Sequence, residues 1–316
     1  MPASIDALIA GLIDYAGLFP PAKLGMGEAC SEFARSLRGP HASALSHFIV
    51  PASRLVEFSE AAATLMPGTF ATSGYREMVD VTAPWRVAAL LDPENPGIGL
   101  EAVEAFNNQH RLEDNGLAHI DSIEVKAPTA AFIDEAIDAM PVGIMPFFEI
   151  DHRQDPRGMI AALSGMHAAA KIRTGGVTAD AFPTPDELAR FIQCCALGRV
   201  PFKCTAGLHH PIRGEFRLTY EDNPPRGTMF GFVNVFLAAA MVDAGLIDEP
   251  TTALLLRETN ADAFRFDDEG ATWRSPAGEV RISTDQIALS RKRFALSYGS
   301  CSFTEPTGEL VELGWL

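Results

Sequence analysis

The sequence is poor in positive charge. Its 316 residues hold 25 Lys and Arg against 41 Asp and Glu, a formal net charge of −16 at pH 7. Phosphate neutralisation needs a basic face, so a nucleic-acid partner is not expected. Any small anion must be met by a local cluster of Lys and Arg. Cysteine is also sparse: Cys30, Cys194, Cys195, Cys204 and Cys301 are scattered and odd in number. No CxxC pair occurs, and adjacent cysteines inside a helix are badly placed for a shared bridge. This excludes a disulfide scaffold and leaves reduced thiols, as in the cytoplasm. No apolar run reaches the roughly 18–20 residues of a membrane helix, so no membrane partner is expected. The opening MPASIDALIAGLIDYAGL has no basic segment and carries Asp6 and Asp14, so it does not read as a secretory leader. No GxGxxG follows the first expected strand, no HExxH is present, and no low-complexity linker divides the chain.

What the chain does have is apolar residues, 47% of the total, in a repeating pattern. Short apolar runs at 12–17, 47–50, 86–91, 120–125 and 143–150, and two more that end at Lys171 and Lys203, alternate with helical periodicity. A further run at 294–303, FALSYGSCSF, reads as an eighth strand. The runs lack strict polar–apolar alternation, which fits strands buried on both faces. Eight strand–helix units predict an α/β fold, a (β/α)8 TIM-type barrel, over residues 1–316 as a single domain. An open doubly wound sheet is the runner-up. Residues 214–283 read as a long insertion between strands seven and eight. Within it, 214–226 is expected as a loop, 228–243 as an apolar helix of the core or of an interface between copies, and 264–281 as a hairpin. A homo-oligomer is therefore a reasonable expectation.

The segment 170–213 carries the chemistry. Two apolar runs each end in a lysine and a small-residue turn, Lys171-Ile172-Arg173-Thr174-Gly175-Gly176 and Lys203-Cys204-Thr205-Ala206-Gly207. Between them, Thr184, Pro185 and Glu187 predict a capped helix start. In a barrel the C-terminal strand ends face one mouth. That rule gathers Asp14, Glu124, Lys126, Glu149, Asp151, Lys171, Arg173, Lys203, His209, His210 and Arg213 around one space, with Cys301 at the end of the eighth strand as a candidate nucleophile. Lys171 and Arg173, and likewise Glu124 and Lys126, are two residues apart and share a side of their strands. Arg173, Arg213 and the amides of Gly175 and Gly176 are suited to an anionic substrate. A lysine beside a second cation has a lowered pKa and can attack a carbonyl, while Glu124 or Glu149 moves protons. Lys126, Asp14, His209 and His210 are candidates for holding the substrate. No cofactor is expected; a divalent metal on His209 and His210 with Glu149 or Asp151 finds no support in ligand spacing.

The pairing of Lys171-x-x-Thr174-Gly175 with Lys203-x-Thr205-Ala206-Gly207 resembles the paired-lysine arrangement of deoxyribose-phosphate aldolases and related class I aldolases. The resemblance implies that Lys171 forms a Schiff base and that Lys203 depresses its pKa. It covers only the 170–213 segment. The catalytic aspartate of that family has no clear match, although Glu124 sits on a plausible strand. The expected function is a lyase on a small carboxylate or phosphate that bears a carbonyl. Two alternatives stay open: an isomerase, epimerase or metal-dependent lyase that works through an enolate on the same cluster, and a barrel that binds a small anion without turnover. A purely structural role for the lysines, paired to Glu124 and Glu149, is the simplest reading of all.

Overall fold

In the computed structural model, which describes residues 1–68, 83–275 and 278–316, the apolar runs are strands. The sequence pattern predicts an irregular stretch over 68–84, which falls almost wholly outside the described residues. The chain opens with α1 (Ala3–Ile9), β1 (Ile13–Tyr15), α2 (Met26–Ser36), β2 (Leu45–Pro51), α3 (Leu55–Ala62) and β3 (Trp85–Leu90). It continues through α4 (Pro96–His110), β4 (Ala118–Lys126), α5 (Ala130–Ile137), β5 (Met145–Ile150), α6 (Arg157–Leu163) and β6 (Ala169–Arg173). Then come α7 (Pro185–Gly198), β7 (Phe202–Thr205), β8 (Gly214–Arg217), β9 (Arg226–Met229), α8 (Phe232–Asp243) and α9 (Glu249–Arg257). The last part holds β10 (Phe264–Phe266), β11 (Gly270–Ser275), β12 (Gly278–Ser283), α10 (Thr284–Arg293), β13 (Ala295–Ser300) and α11 (Thr304–Glu312).

Strands β1 to β7 and β13 close into a parallel barrel in the order β1-β13-β7-β6-β5-β4-β3-β2. This is the (β/α)8 architecture. Each strand is flanked by helices, so its outward residues are buried too. The wedge of aromatic rings outside β1 to β3 shows how: Phe48 lies 4.9 Å from Phe58, and Phe33 lies 5.1 Å from Trp85, ring centre to ring centre. Such pairs add to the area they bury. The seam where the chain ends meet is locked by Arg291 of α10. Its buried guanidinium donates to the carbonyls of Leu8 at 2.8 Å and Ala10 at 3.3 Å, and to that of Ala295.

The helix between the two lysine strands begins as its sequence requires. The backbone N–H of Glu187 donates to Thr184 Oγ1 at 3.2 Å, and that of Thr184 donates to Glu187 Oε2 at 2.7 Å. Its last turn ends on Arg199 in the left-handed region, φ 53°.

Two expectations need correction. Residues 214–226 are not simply a loop: β8 and β9 form an antiparallel hairpin. The strands GEFR and RGTM are only four residues each and largely polar, so no apolar alternation announced them. The 264–281 segment is a three-stranded antiparallel sheet, β10-β11-β12, rather than one hairpin. Helix α8, by contrast, buries its apolar residues from Phe232 to Val242 within this one chain. This agrees with the core reading of 228–243. Among the described residues no helix is long and apolar enough to cross a membrane.

Candidate functional site

Lys171 and Lys203 are register partners on the neighbouring strands β6 and β7, and Glu149 is the register partner of Lys171 on β5. Two ammonium groups side by side in a dry barrel repel strongly unless carboxylates separate them. Glu124 of β4 does this. Its Oε2 accepts from Lys171 Nζ at 2.6 Å and its Oε1 from Lys203 Nζ at 2.7 Å. Lys171 also meets Glu149 Oε2 at 2.8 Å. Lys203 donates in addition to Asp14 of β1, with Ser297 Oγ donating to the same carboxylate at 2.6 Å.

The network continues downward into a part of the barrel that the sequence reading left out. His47 Nδ1 lies 2.8 Å from Asp14 Oδ1, and its Nε2 lies 2.8 Å from Asp121 Oδ1. Asp121 is closed off by Arg86, 2.8 Å away. At the upper end, Arg173 Nε stands 3.4 Å from Glu149 Oε1. A chain of alternating charge thus runs from Arg86 through Asp121, His47, Asp14, Lys203, Glu124, Lys171 and Glu149 to Arg173. Arg86 and Arg173 are half-exposed; Asp14, Glu124, Lys171 and Lys203 are buried.

These contacts fix protonation. Burial works against the charged form of Glu124, but Lys171 and Lys203 outweigh it and hold its carboxyl at about 2. Burial likewise opposes the Asp14 carboxylate, and Lys203 and His47 push its pKa well below the usual range. For Lys203, burial favours the neutral amine, but Asp14 and Glu124 raise its pKa, so it is a fixed cation. For His47, burial favours the neutral ring, and Asp14 and Asp121 together raise its pKa.

Above this network lies a cavity of about 260 Å³. Lys171, Glu124 and Glu149 form its charged floor, with Arg173, Gly176 and His209 on its walls. Phe19, Ile49, Leu90 and Val177 give it apolar sides, and Thr205, Ala206, Gly299 and Cys301 complete it. Lys203 and Asp14 do not reach it; they sit beneath the floor.

The small-residue turns after the lysines have a packing role. Thr174 Oγ1 donates to the Ala206 carbonyl at 2.6 Å. A Cβ on Gly175 would fall 2.7 Å from the Gly207 Cα, so both glycines are needed for the two turns to touch. Ala206 is held at φ 60° and Gly207 at φ 75°. A non-glycine residue in that region costs on the order of 1 kcal/mol, a strain that recurs at functional sites.

Other candidates lie elsewhere. Lys126 is exposed and does not line the cavity: it is the last residue of β4, and its long side chain runs out to water. Arg213 stacks its guanidinium 4.8 Å from the Phe230 ring centre, and its backbone N–H donates to Asn234 Oδ1 at 3.0 Å, away from the cavity. Gly175 packs under Phe182 instead of facing a ligand. Asp151 is spent on Arg153, 2.8 Å away. The Cys301 thiol lines the cavity, but burial raises its pKa, which removes the thiolate a nucleophile needs. His210 turns away from Glu149 toward α11, with Nδ1 2.6 Å from Glu309 Oε1. His209 stands between the cavity and α11, with Nδ1 3.3 Å from Glu305 Oε2.

His47, Asp121, Ser297, Glu305 and Glu309 were missed. A histidine inside the apolar run LSHFIV was the available signal for the first. For the last two it was a pair of carboxylates one helical turn apart.

No protein-family model matches the chain. No curated protein matches it either. Among solved structures, the Bacillus cereus spore cortex-lytic enzyme SleL is similar at 11% identity, over 96% of this chain and 74% of its own, with a TM-score of 0.37. A likeness at that level carries no argument about what this chain does.

Proposed function

We propose that the protein is a Schiff-base lyase for a small anionic carbonyl compound, with Lys171 as the nucleophile. The observation that carries this reading is the asymmetry of the two lysines. Lys171 opens onto the cavity, whereas Lys203 is sealed beneath it as a fixed cation with Asp14 and Glu124.

The reaction begins when the Lys171 ammonium passes a proton to Glu149, 2.8 Å away at the cavity floor. The freed amine adds to the substrate carbonyl, and the carbonyl oxygen takes up a proton. Glu149, now a carboxylic acid, protonates the resulting hydroxyl, which leaves as water and yields the iminium. The carbon–carbon bond one atom beyond the iminium carbon then breaks. Its electron pair forms an enamine, and the departing fragment becomes a carbonyl as its hydroxyl proton passes to a carboxylate. Protonation of the enamine carbon and addition of water release the second fragment and restore the amine. Arg173 faces the substrate anion. The cavity is small against the roughly 300–1,000 Å³ of drug-sized sites, which favours a substrate of a few carbons.

Borohydride trapping with a panel of aldehydes and keto acids, read by intact mass and peptide mapping, tests this. A reduced adduct on Lys171, lost in Lys171→Met, is the expected result. A folded protein that forms no adduct with any carbonyl overturns it and leaves the enolate and binding readings.

A further inference from the structure

We propose that His210, Glu305 and Glu309, with His209 beside them, form a binding site for one divalent transition-metal ion of the zinc class. The site is separate from the lysine network, and the proposal stands whether or not Lys171 forms an imine.

The four side chains come from two places 95 residues apart. His209 and His210 follow β7, and Glu305 and Glu309 stand one turn apart on α11, so both carboxylates share a helix face. One ligand atom from each of His210, Glu305 and Glu309 can be chosen so that all lie within 4.8 Å of one another. Bonds of about 2.0–2.2 Å in a tetrahedral site put ligand atoms roughly 3.3–3.6 Å apart, so an inward movement completes the geometry.

A second observation points the same way. His209 Nδ1 is shielded from solvent and has no partner in hydrogen-bonding geometry, although Glu305 Oε2 is only 3.3 Å away. Buried polar atoms are almost always partnered. A cation shared with Glu305 gives this nitrogen the partner it lacks.

The surroundings hold the ligands in place. The Phe216 ring lies flat under His210, centroids 3.4 Å apart and 13° from parallel. The Tyr220 hydroxyl donates to Glu305 Oε2 at 3.1 Å, orienting that carboxylate as outer partners of metal ligands do. Imidazole joined to carboxylates selects zinc, cobalt, manganese or iron over calcium or magnesium, which prefer oxygen alone. The ion would tie α11 to the turn after β7 and add positive charge beside the cavity wall at His209, where a strongly acidic chain has to hold an anion.

The test needs no substrate. Full-length protein is stripped with chelator and dialysed, then titrated with zinc chloride by calorimetry and by thermal shift. One zinc per chain is expected, with a rise in Tm. His210→Asn and Glu309→Gln should each weaken binding a hundredfold or more, while Glu312→Gln, Cys301→Ser and Lys171→Met bind as the parent does. Cobalt(II) provides a second readout through its coordination-sensitive absorption, which should vanish in Glu309→Gln even if that variant is less stable. No binding by the stripped parent, or zinc binding unchanged in both ligand variants, overturns the proposal. A failure of borohydride trapping would leave this titration untouched, so the two readings fail separately.

Discussion

The barrel axis and the histidine cluster are both assemblies of acids and bases held away from bulk water to different degrees, and they are balanced in opposite ways. Along the axis, every cation lies between anions and every anion between cations, from Asp121 to Glu149. The protein supplies all the charge that this region needs. At the wall formed by the turn after β7 and α11, two carboxylates face two imidazoles, and one imidazole nitrogen has no hydrogen-bond partner. Imidazole is cationic only when it takes up a proton. The first assembly is complete in itself, and the second takes a cation from solution. A self-balanced network resists change. A site that recruits its charge from outside responds to what is present.

The most damaging test of this contrast is at the network's open end. Lys171→Met should abolish trapping and cut turnover by roughly a thousandfold or more, since an amine nucleophile has no substitute there. Next is the sealed lysine. Lys203→Met leaves Asp14 and Glu124 buried without their shared cation, and chemical denaturation should show a loss of about 3–5 kcal/mol. Glu309→Gln in stripped protein should cost far less, because its partner His210 can be neutral. If the two losses were equal, the distinction between the assemblies would collapse.

Stability against pH sharpens the comparison further. Asp14 and Glu124 have lowered pKa values, so their contribution is full above the ordinary carboxylate range. It should drain away as pH falls from about 4.5 toward about 2, the folded value of Glu124. His47 is raised, so its contribution is full below its ordinary value of 6.5 and is lost as pH climbs through the folded value. Denaturation midpoints across pH should therefore fall at both ends, and Glu124→Gln should flatten the acid limb. A steep acid limb in that variant would place the titration elsewhere. The smallest effect concerns the rim: Arg173→Gln, half-exposed in the parent, should raise KM about tenfold with little change in kcat.

The barrel was legible because strands covered on both faces must be apolar, and a lysine or glutamate inside such a run stands out. That signal exposed Lys171, Lys203, Glu124 and Glu149. It failed where position within the strand decided the outcome. Lys126 keeps the two-residue spacing from Glu124, yet at the strand's last residue nothing confines its side chain. Asp14 was gathered with the mouth residues but lies below them, because its carboxylate is drawn down to Lys203 and His47. Glu305 and Glu309 sit on a helix of ordinary amphipathic appearance, where acidic residues usually face water. Only the path of the turn after β7, which no periodicity encodes, brings two histidines to them.

The pairing of Asp14 with Lys203 spans 189 residues. It ties the first strand of the ring to the seventh, with β13 lying between them. While the ring is open, Lys203 has Glu124 but not its second carboxylate, and Asp14 has no lysine at all. Desolvating either is then costly, and the loop to be closed is 189 of the 316 residues. Closure must therefore bring both termini together in one step, and that step should be late and slow in folding. The same charges that equip the cavity also make an incomplete barrel a poor place for the chain to rest.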